Sequence, residues 1–156
     1  RSRGLGDVYK RQEQVKYALD LLQLNDIKDR NIKTLSGGQR QRAYIAMTIA
    51  QNTEYILLDE PLNNLDMKHS VQIMQTLRTL AQQLDKTIVI VLHDINFASC
   101  YSDHIIALKH GELVRAGKNE DVLQTEVLRE LYEMDVKVEW VNGQRICLYY
   151  DEQILS

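Results

Sequence analysis

The chain is expected to fold as an α/β domain around a mainly parallel sheet, with a small antiparallel addition at its C-terminus. Three observations carry that expectation. The β-branched run Thr87-Ile88-Val89-Ile90-Val91-Leu92 has the continuous apolar character of a buried parallel strand. The apolar run Tyr55-Ile56-Leu57-Leu58 lies upstream of it, and the stretch between them carries Val71, Ile73, Met74, Leu77, Leu80, Ala81 and Leu84 at helical spacing, a strand–helix–strand unit. Near the end, two alternating segments flank Asn142-Gly143, the strongest short-range hairpin signal in the chain.

Each element follows from local pattern. The opening run Arg1 to Arg11 lacks an initiator methionine, an apolar signal core and a helical or strand period. Residues 1–12 are therefore expected to be a boundary artefact of cloning or sequence assembly, or a disordered arm. From Glu13 to Leu24, Val15, Ala18, Leu19 and Leu22 follow the three-and-four spacing of an amphipathic helix, which Asn25-Asp26 interrupts. A polar connector leads to Ser36, placed as the N-cap of a helix over Gly37 to Gln51 with an apolar face of Ala43, Ile45, Ala46, Ile49 and Ala50.

Ile56 to Leu58 is expected as a buried strand ended by Pro61, which cannot extend a ladder. A helix over Met67 to Leu84 and the strand Thr87 to Leu92 follow. Asp94 caps a short helix to Tyr101, and His104 to Leu108 and Glu112 to Ala116 turn about Gly111 and continue the sheet. Two short helices, Asn119 to Leu123 and Thr125 to Met134, precede the hairpin strands Val136 to Val141 and Arg145 to Tyr150. No internal repeat or low-complexity segment is present. Lys109 and His110 read as solvated turn residues, and Trp140 and Tyr149-Tyr150 as hairpin packing rather than a platform for bases.

Composition bounds the function. At 156 residues and 44% hydrophobic the chain can bury one ordinary core, so its size permits a single domain. A net charge of -3 gives no general attraction to nucleic acid. No apolar run approaches the about 18 residues of a membrane span, so a soluble protein is expected. Cys100 and Cys147 are far apart, without CxxC spacing or a nearby histidine pair, and read as small buried apolar residues in a reducing cytoplasm.

The chemistry sits at three places. Ser36-Gly37-Gly38-Gln39 opens a helix with two glycines, which lets an anion approach the free N–H groups of the first turn, where the helix dipole favours negative charge. Alone this pattern is also an ordinary capped helix start. The strand ending in Asp59-Glu60 supplies a metal-holding acid and a base beside it, although carboxylates end many strands. His93 stands at the end of the next parallel strand, where open α/β sheets place ligands, although a lone histidine there is often structural.

Together, Leu35-Ser36-Gly37-Gly38-Gln39, Ile56-Leu57-Leu58-Asp59-Glu60-Pro61, Asn64-Leu65-Asp66 and His93 resemble the signature, Walker B, D-loop and switch-histidine motifs of ABC-transporter ATPases. The resemblance covers about Gln14 to the C-terminus. Asp59 to Ser70 with His93 to Ala98 is similar to ATPases of ferric siderophore importers, the petrobactin type in particular.

The resemblance implies a P-loop NTPase (RecA-like) ABC ATPase core, divided into part of the helical signature subdomain (13–51), catalytic core (52–118) and C-terminal helices and hairpin (119–156). It implies ATP and Mg²⁺ as ligands. Ser36, Gly37, Gly38 and Gln39 would contact the γ-phosphate of ATP bound on a second ATPase subunit, so the complete enzyme would be a homodimer. Asp59 would orient Mg²⁺, Glu60 would polarise the attacking water, His93 would bond the γ-phosphate, and Asp66 would help join the two subunits' sites. Two membrane permease subunits and, indirectly, an external substrate-binding protein would be the further partners, at the cytoplasmic face of the membrane.

The sequence contains no GxxxxGK[ST] run. The expectation is therefore a C-terminal fragment, truncated at the N-terminus and inactive alone, with a sheet left unpaired between the strand 87–92 and the strand that starts near His104. Two other readings share some motifs: an ABC-type ATPase of DNA repair or chromosome maintenance, and a folded interaction module without turnover. The absence of a long coiled-coil or zinc insertion between Gln14 and His93 and the negative charge argue against the first.

Overall fold

The computed structural model describes residues 3–150, with side chains from residue 8. The chain divides between Leu92 and His93 into two compact units. In the first, helix α1 (Arg3–Leu21) is followed by two 3-10 turns, helix α2 (Gly37–Ala50), strand β1 (Tyr55–Asp59), helix α3 (Met67–Leu84) and strand β2 (Thr87–Val91). Strand β1 pairs in parallel with β2, from Tyr55 opposite Thr87 to Asp59 opposite Val91, so the expected strand–helix–strand unit is formed.

Helix α1 starts well before Glu13, where the pattern begins. Once the amphipathic half is helical, each further residue adds one hydrogen bond at little cost, and no proline stops the helix from growing back to Arg3. Its Ala18, with Leu22 and Leu24 just beyond, is buried, and α1 packs on α2. Ile45, Ala46 and Ile49 of α2, Ile56 and Leu58 of β1, and Ile73, Met74, Leu77 and Leu80 of α3 are buried, close to the expected helical faces. Burying each of the larger of these stabilises the fold by about 1.5–3 kcal/mol before entropy is charged against it. Helix α3 ends at Asp85 in the left-handed conformation, and Lys86 then donates from Nζ to Asn52 Oδ1 at 2.9 Å and to the Thr53 carbonyl at 2.7 Å. That lysine ties the exit of α2 to the start of β2.

One expectation fails here. Strand β1 alternates instead of being buried throughout: Ile56 and Leu58 face the helices while Leu57 is 71% exposed. Tyr55, Val89 and Val91 are exposed as well, so the parallel pair has one packed and one open apolar face.

The second unit contains helix α4 (Ile95–Tyr101), strands β3 (His104–Lys109) and β4 (Glu112–Lys118), helices α5 (Asn119–Val122) and α6 (Thr125–Tyr132), and strands β5 (Lys137–Val141) and β6 (Gln144–Leu148). Strands β3 and β4 are antiparallel, as a turn of His110 and Gly111, both at positive φ, requires. Strands β5 and β6 form the expected hairpin, with Asn142 and Gly143 at φ of 50° and 78°. Among the described residues each strand has a single partner, so the structure holds three two-stranded sheets rather than one sheet continued through β3 and β4. Ile95, Leu123, Leu128, Val136 and Cys147 make one core of this unit, and Ala107, Val122 and Val127 a second.

One side chain, Lys109, acts differently from the pattern, and Trp140 packs within the hairpin. Lys109 is half-buried; its Nζ donates to the Glu130 carbonyl at 2.6 Å and pairs with Glu133 at 2.7 Å, so it anchors β3 to the end of α6. Trp140 is 65% exposed beneath the guanidinium of its cross-strand partner Arg145, whose Cζ is 4.5 Å from the ring centroid. Burial pushes the Cys147 thiol up to about 11 and raises that of Cys100, as expected of structural cysteines.

Candidate functional site

The signature turn is built by reciprocal capping. Ser36, extended at φ -61° and ψ 162°, accepts from the Gln39 N–H at 3.3 Å through Oγ, and its own N–H donates to Gln39 Oε1 at 3.1 Å. Leu35 is buried just before it, which pins the turn at its entrance while Ser36 and Gly37 stay exposed. Gln39 is thus committed to shaping the turn. The first turn of α2 carries no acidic side chain and includes exposed Arg40, a start that suits an anion.

The glycines also have neighbours. A Cβ on Gly37 would lie 3.6 Å from Asn64 Cβ, and one on Gly38 would lie 3.2 Å from Leu65 Cδ2 and 3.8 Å from the Asn64 carbonyl. The first unit therefore brings the signature turn against Asn64 and Leu65, just before Asp66.

Asp59 ends β1, exposed, at the C-terminal edge of the parallel pair. Glu60 follows in the left-handed region at φ 46°, an unusual conformation for a glutamate that costs of the order of 1 kcal/mol or more. Three hydrogen bonds hold it there: its N–H donates to the Val91 carbonyl at 3.2 Å, its carbonyl accepts from the Asn63 N–H at 3.2 Å, and its Oε2 accepts from the Asn63 side-chain amide. Buried Pro61 closes the turn. Asn63 is the residue that pattern reading missed; an asparagine three positions after a strand-end acid is an ordinary turn residue until the amide is seen to grip the carboxylate.

Asp66 caps α3. Its Oδ1 accepts from the His69 N–H at 2.8 Å and lies 2.8 Å from His69 Nδ1, and these contacts, the backbone bond foremost, hold its carboxyl below the ordinary carboxylate value. Among the described residues no three His, Cys, Asp or Glu side chains gather as a metal cage. Asp59 as a single exposed carboxylate suits a cation that keeps its waters and phosphate oxygens as its other ligands, the habit of Mg²⁺.

His93 belongs to the second unit, where it is exposed and stands directly before Asp94, the N-cap of α4. Asp94 Oδ1 accepts from the N–H groups of Asn96 at 2.7 Å and Phe97 at 3.2 Å. Ser36, Gly37, Gly38, Gln39, Asp59, Glu60 and Asp66 lie together in the first unit.

Comparison with known proteins bears on this arrangement. The model of the ABC transporter family matches residues 2–63. The chain is 56% identical to the petrobactin import ATP-binding protein YclP of Bacillus subtilis, over 87% of the chain and 54% of that protein. It is 39% identical to the ferric enterobactin transport ATP-binding protein FepC of Escherichia coli, over 78% of the chain and 45% of that protein. Among solved structures, a metal-chelate type ABC transporter in an inward-facing conformation superposes with a TM-score of 0.77 at 28% identity, covering 88% of this chain and 57% of the other. The dimeric post-hydrolysis structure of the ATP-binding cassette MJ0796, bound to ADP and Pi, superposes with a TM-score of 0.64 at 39% identity over 69% and 46%. The chain spans about half the length of the curated relatives it matches.

Proposed function

We infer that this chain, which belongs to the ABC transporter ATPases by sequence and by fold, supplies the signature and hydrolytic half of an ATPase that drives uptake of an iron chelate. The observation that carries the reading is Glu60: a residue whose costly backbone conformation, immediately after a parallel strand, is held by two backbone hydrogen bonds while the Asn63 amide grips its carboxylate, beside the metal-suited Asp59. A structural role alone would not need a glutamate there, since asparagine or glycine adopts that conformation at less cost.

In this reading residues 13–51 belong to the helical part of a cassette, 52–118 to its catalytic core, and 119–156 to its C-terminal part. Ser36, Gly37 and Gly38 offer N–H groups to the γ-phosphate of ATP seated on a second copy, and Gln39 holds their turn in shape. Asp59 holds Mg²⁺ and its waters; bound there, the ion neutralises charge on the phosphate oxygens. Glu60 takes up the proton side of the attacking water, and His93 bonds the γ-phosphate to keep attack in line. Asp66 helps to join the two copies. ATP is thus the substrate, and the chain alone, without a phosphate-cradling loop, binds it weakly.

The partners in this reading are a second ATPase subunit, two membrane permease subunits and, indirectly, an external binding protein, at the cytoplasmic face of the membrane. Among the described residues no helix is long and apolar enough to cross a membrane, which fits a peripheral subunit. The named relatives are an import and a transport ATP-binding protein, which favours transport over DNA maintenance. The test uses the full reading frame that encodes the chain: MgATP hydrolysis by the wild type, with Glu60→Gln retaining ATP binding and losing turnover at least 100-fold. Unchanged turnover in that variant would refute the reading.

A further inference from the structure

Helix α4 is seated on the C-terminal hairpin by side-chain bonds of an unusual kind. The Asn96 amide copies a strand partner: Nδ2 donates to the Cys147 carbonyl at 3.1 Å, and Oδ1 accepts from the Cys147 N–H at 2.7 Å. One turn on, Ser99 Oγ donates to the Arg145 carbonyl, while the Ser99 carbonyl accepts from Asn119 Nδ2 at 2.6 Å. Both side chains meet backbone groups of β6 two residues apart, so they fix the helix along the strand as well as against it. Ile95 and Ala98 pack beside them on the core that holds Cys147, Val136 and Leu128. Such pairs, partly buried, are shielded from competing water, and losing one strands the backbone group opposite.

The same helix carries His93 at its entrance. Asp94 caps α4 through the Asn96 and Phe97 N–H groups, so the residue that clamps the hairpin also anchors the turn that follows His93. We propose that Asn96, with Ser99, is a positioning residue: the hairpin β5–β6 serves as a fixed rail that sets where α4, and with it His93, stands during hydrolysis. This rests on the reading of His93 as the residue that bonds the γ-phosphate. Misplacing a catalytic group by about 1 Å is enough to cost one to two orders of magnitude in rate, and a helix end that loses two of its anchors can shift that far.

The experiment measures kcat and KM for MgATP, together with the thermal midpoint, in the full reading frame carrying Asn96→Ala, Ser99→Ala, His93→Ala or Val127→Ala. Val127 is buried in the other core of the same unit, so its truncation reports on general loosening. The proposal expects Asn96→Ala to lower kcat roughly tenfold with KM within about twofold, while Val127→Ala lowers the thermal midpoint comparably and leaves kcat in place. Equal kcat losses for the two at equal destabilisation would overturn it, as would an unchanged kcat in Asn96→Ala. If Asn96→Ala does not fold, Ser99→Ala decides: a several-fold loss of kcat supports the proposal, and none defeats it. Should His93→Ala keep full turnover, the role of His93 fails and the proposal with it; should His93→Ala be inactive and Asn96→Ala fully active, the proposal alone fails.

Discussion

Gly38 packs against Leu65: a Cβ built on the glycine stands 3.2 Å from Leu65 Cδ2, closer than side chains ordinarily approach. The contact joins the signature turn to the loop that leads into Asp66, two stretches more than twenty residues apart in sequence.

Gly38→Ala follows from that contact. The terminal methyl of Leu65 can give by a few tenths of an ångström, and alanine is the better helix former by up to about 1 kcal/mol, so stability should change by less than about 1 kcal/mol in either direction. Turnover of the full reading frame should nonetheless fall at least about tenfold, because the methyl, pressed against Leu65, displaces the turn whose N–H groups would meet the phosphate. Urea unfolding and steady-state hydrolysis check the two halves of the prediction.

Asp66→Ala removes the cap of α3 and should lower the urea midpoint, with Asp66→Asn losing less because an amide oxygen still caps. The Asp66 carboxyl is held below its ordinary 3.8, so its charged form stabilises the fold fully above that value and the contribution is lost as pH falls through the lower folded one. The gap between wild type and Asp66→Ala should therefore be constant near neutrality and close only below about pH 4, as unfolding titrations can follow.

The two cysteines should be slow. Cys147 is 1% exposed with its thiol pushed up to about 11, and Cys100 is raised by desolvation, so neither is a thiolate at pH 8. A thiol-reactive dye should label buried Cys147 at the rate of unfolding and partly exposed Cys100 slowly through its scarce thiolate, and denaturant should accelerate labelling of Cys147 by orders of magnitude.

The open face of the parallel pair predicts association. Tyr55, Leu57, Val89 and Val91 form an apolar surface, and β1 and β2 have unpaired edges among the described residues. The isolated chain should self-associate and bind an apolar dye, both reduced in Leu57→Lys, whose side chain is already exposed and whose stability should shift by no more than about 0.5 kcal/mol. A monodisperse, dye-silent monomer is the contrary result.

Much of this was legible in the sequence because it depended on neighbours in the chain. Ser36 and Asp94 each announce a cap, Asn142-Gly143 announces a two-residue turn, and the faces of α2 and α3 follow from a 3.6-residue period. What escaped depended on partners distant in sequence. A β-branched run cannot say whether a sheet covers it on one side or two, so Leu57 read as buried. Strands 104–109 and 112–118 carry no mark of whether they pair only with each other. Lys109, Asn96 and Asn63 are single polar residues whose bonds to a carbonyl, a strand and a carboxylate leave no periodic trace. The backward growth of α1 to Arg3 reflects propagation from a formed helix rather than any local pattern.

The central claim is that the signature turn of one copy and Glu60 of another act on the same phosphate, and mixing two inactive forms of the full reading frame tests it most directly. Ser36→Arg blocks the turn and Glu60→Gln removes the acid. If each site draws on both copies, a mixed dimer regains one complete site, and an equal mixture should recover up to about a quarter of wild-type turnover. Recovery of none, with mixed dimers shown to form, would mean that the two motifs serve a site within one copy and would contradict the account.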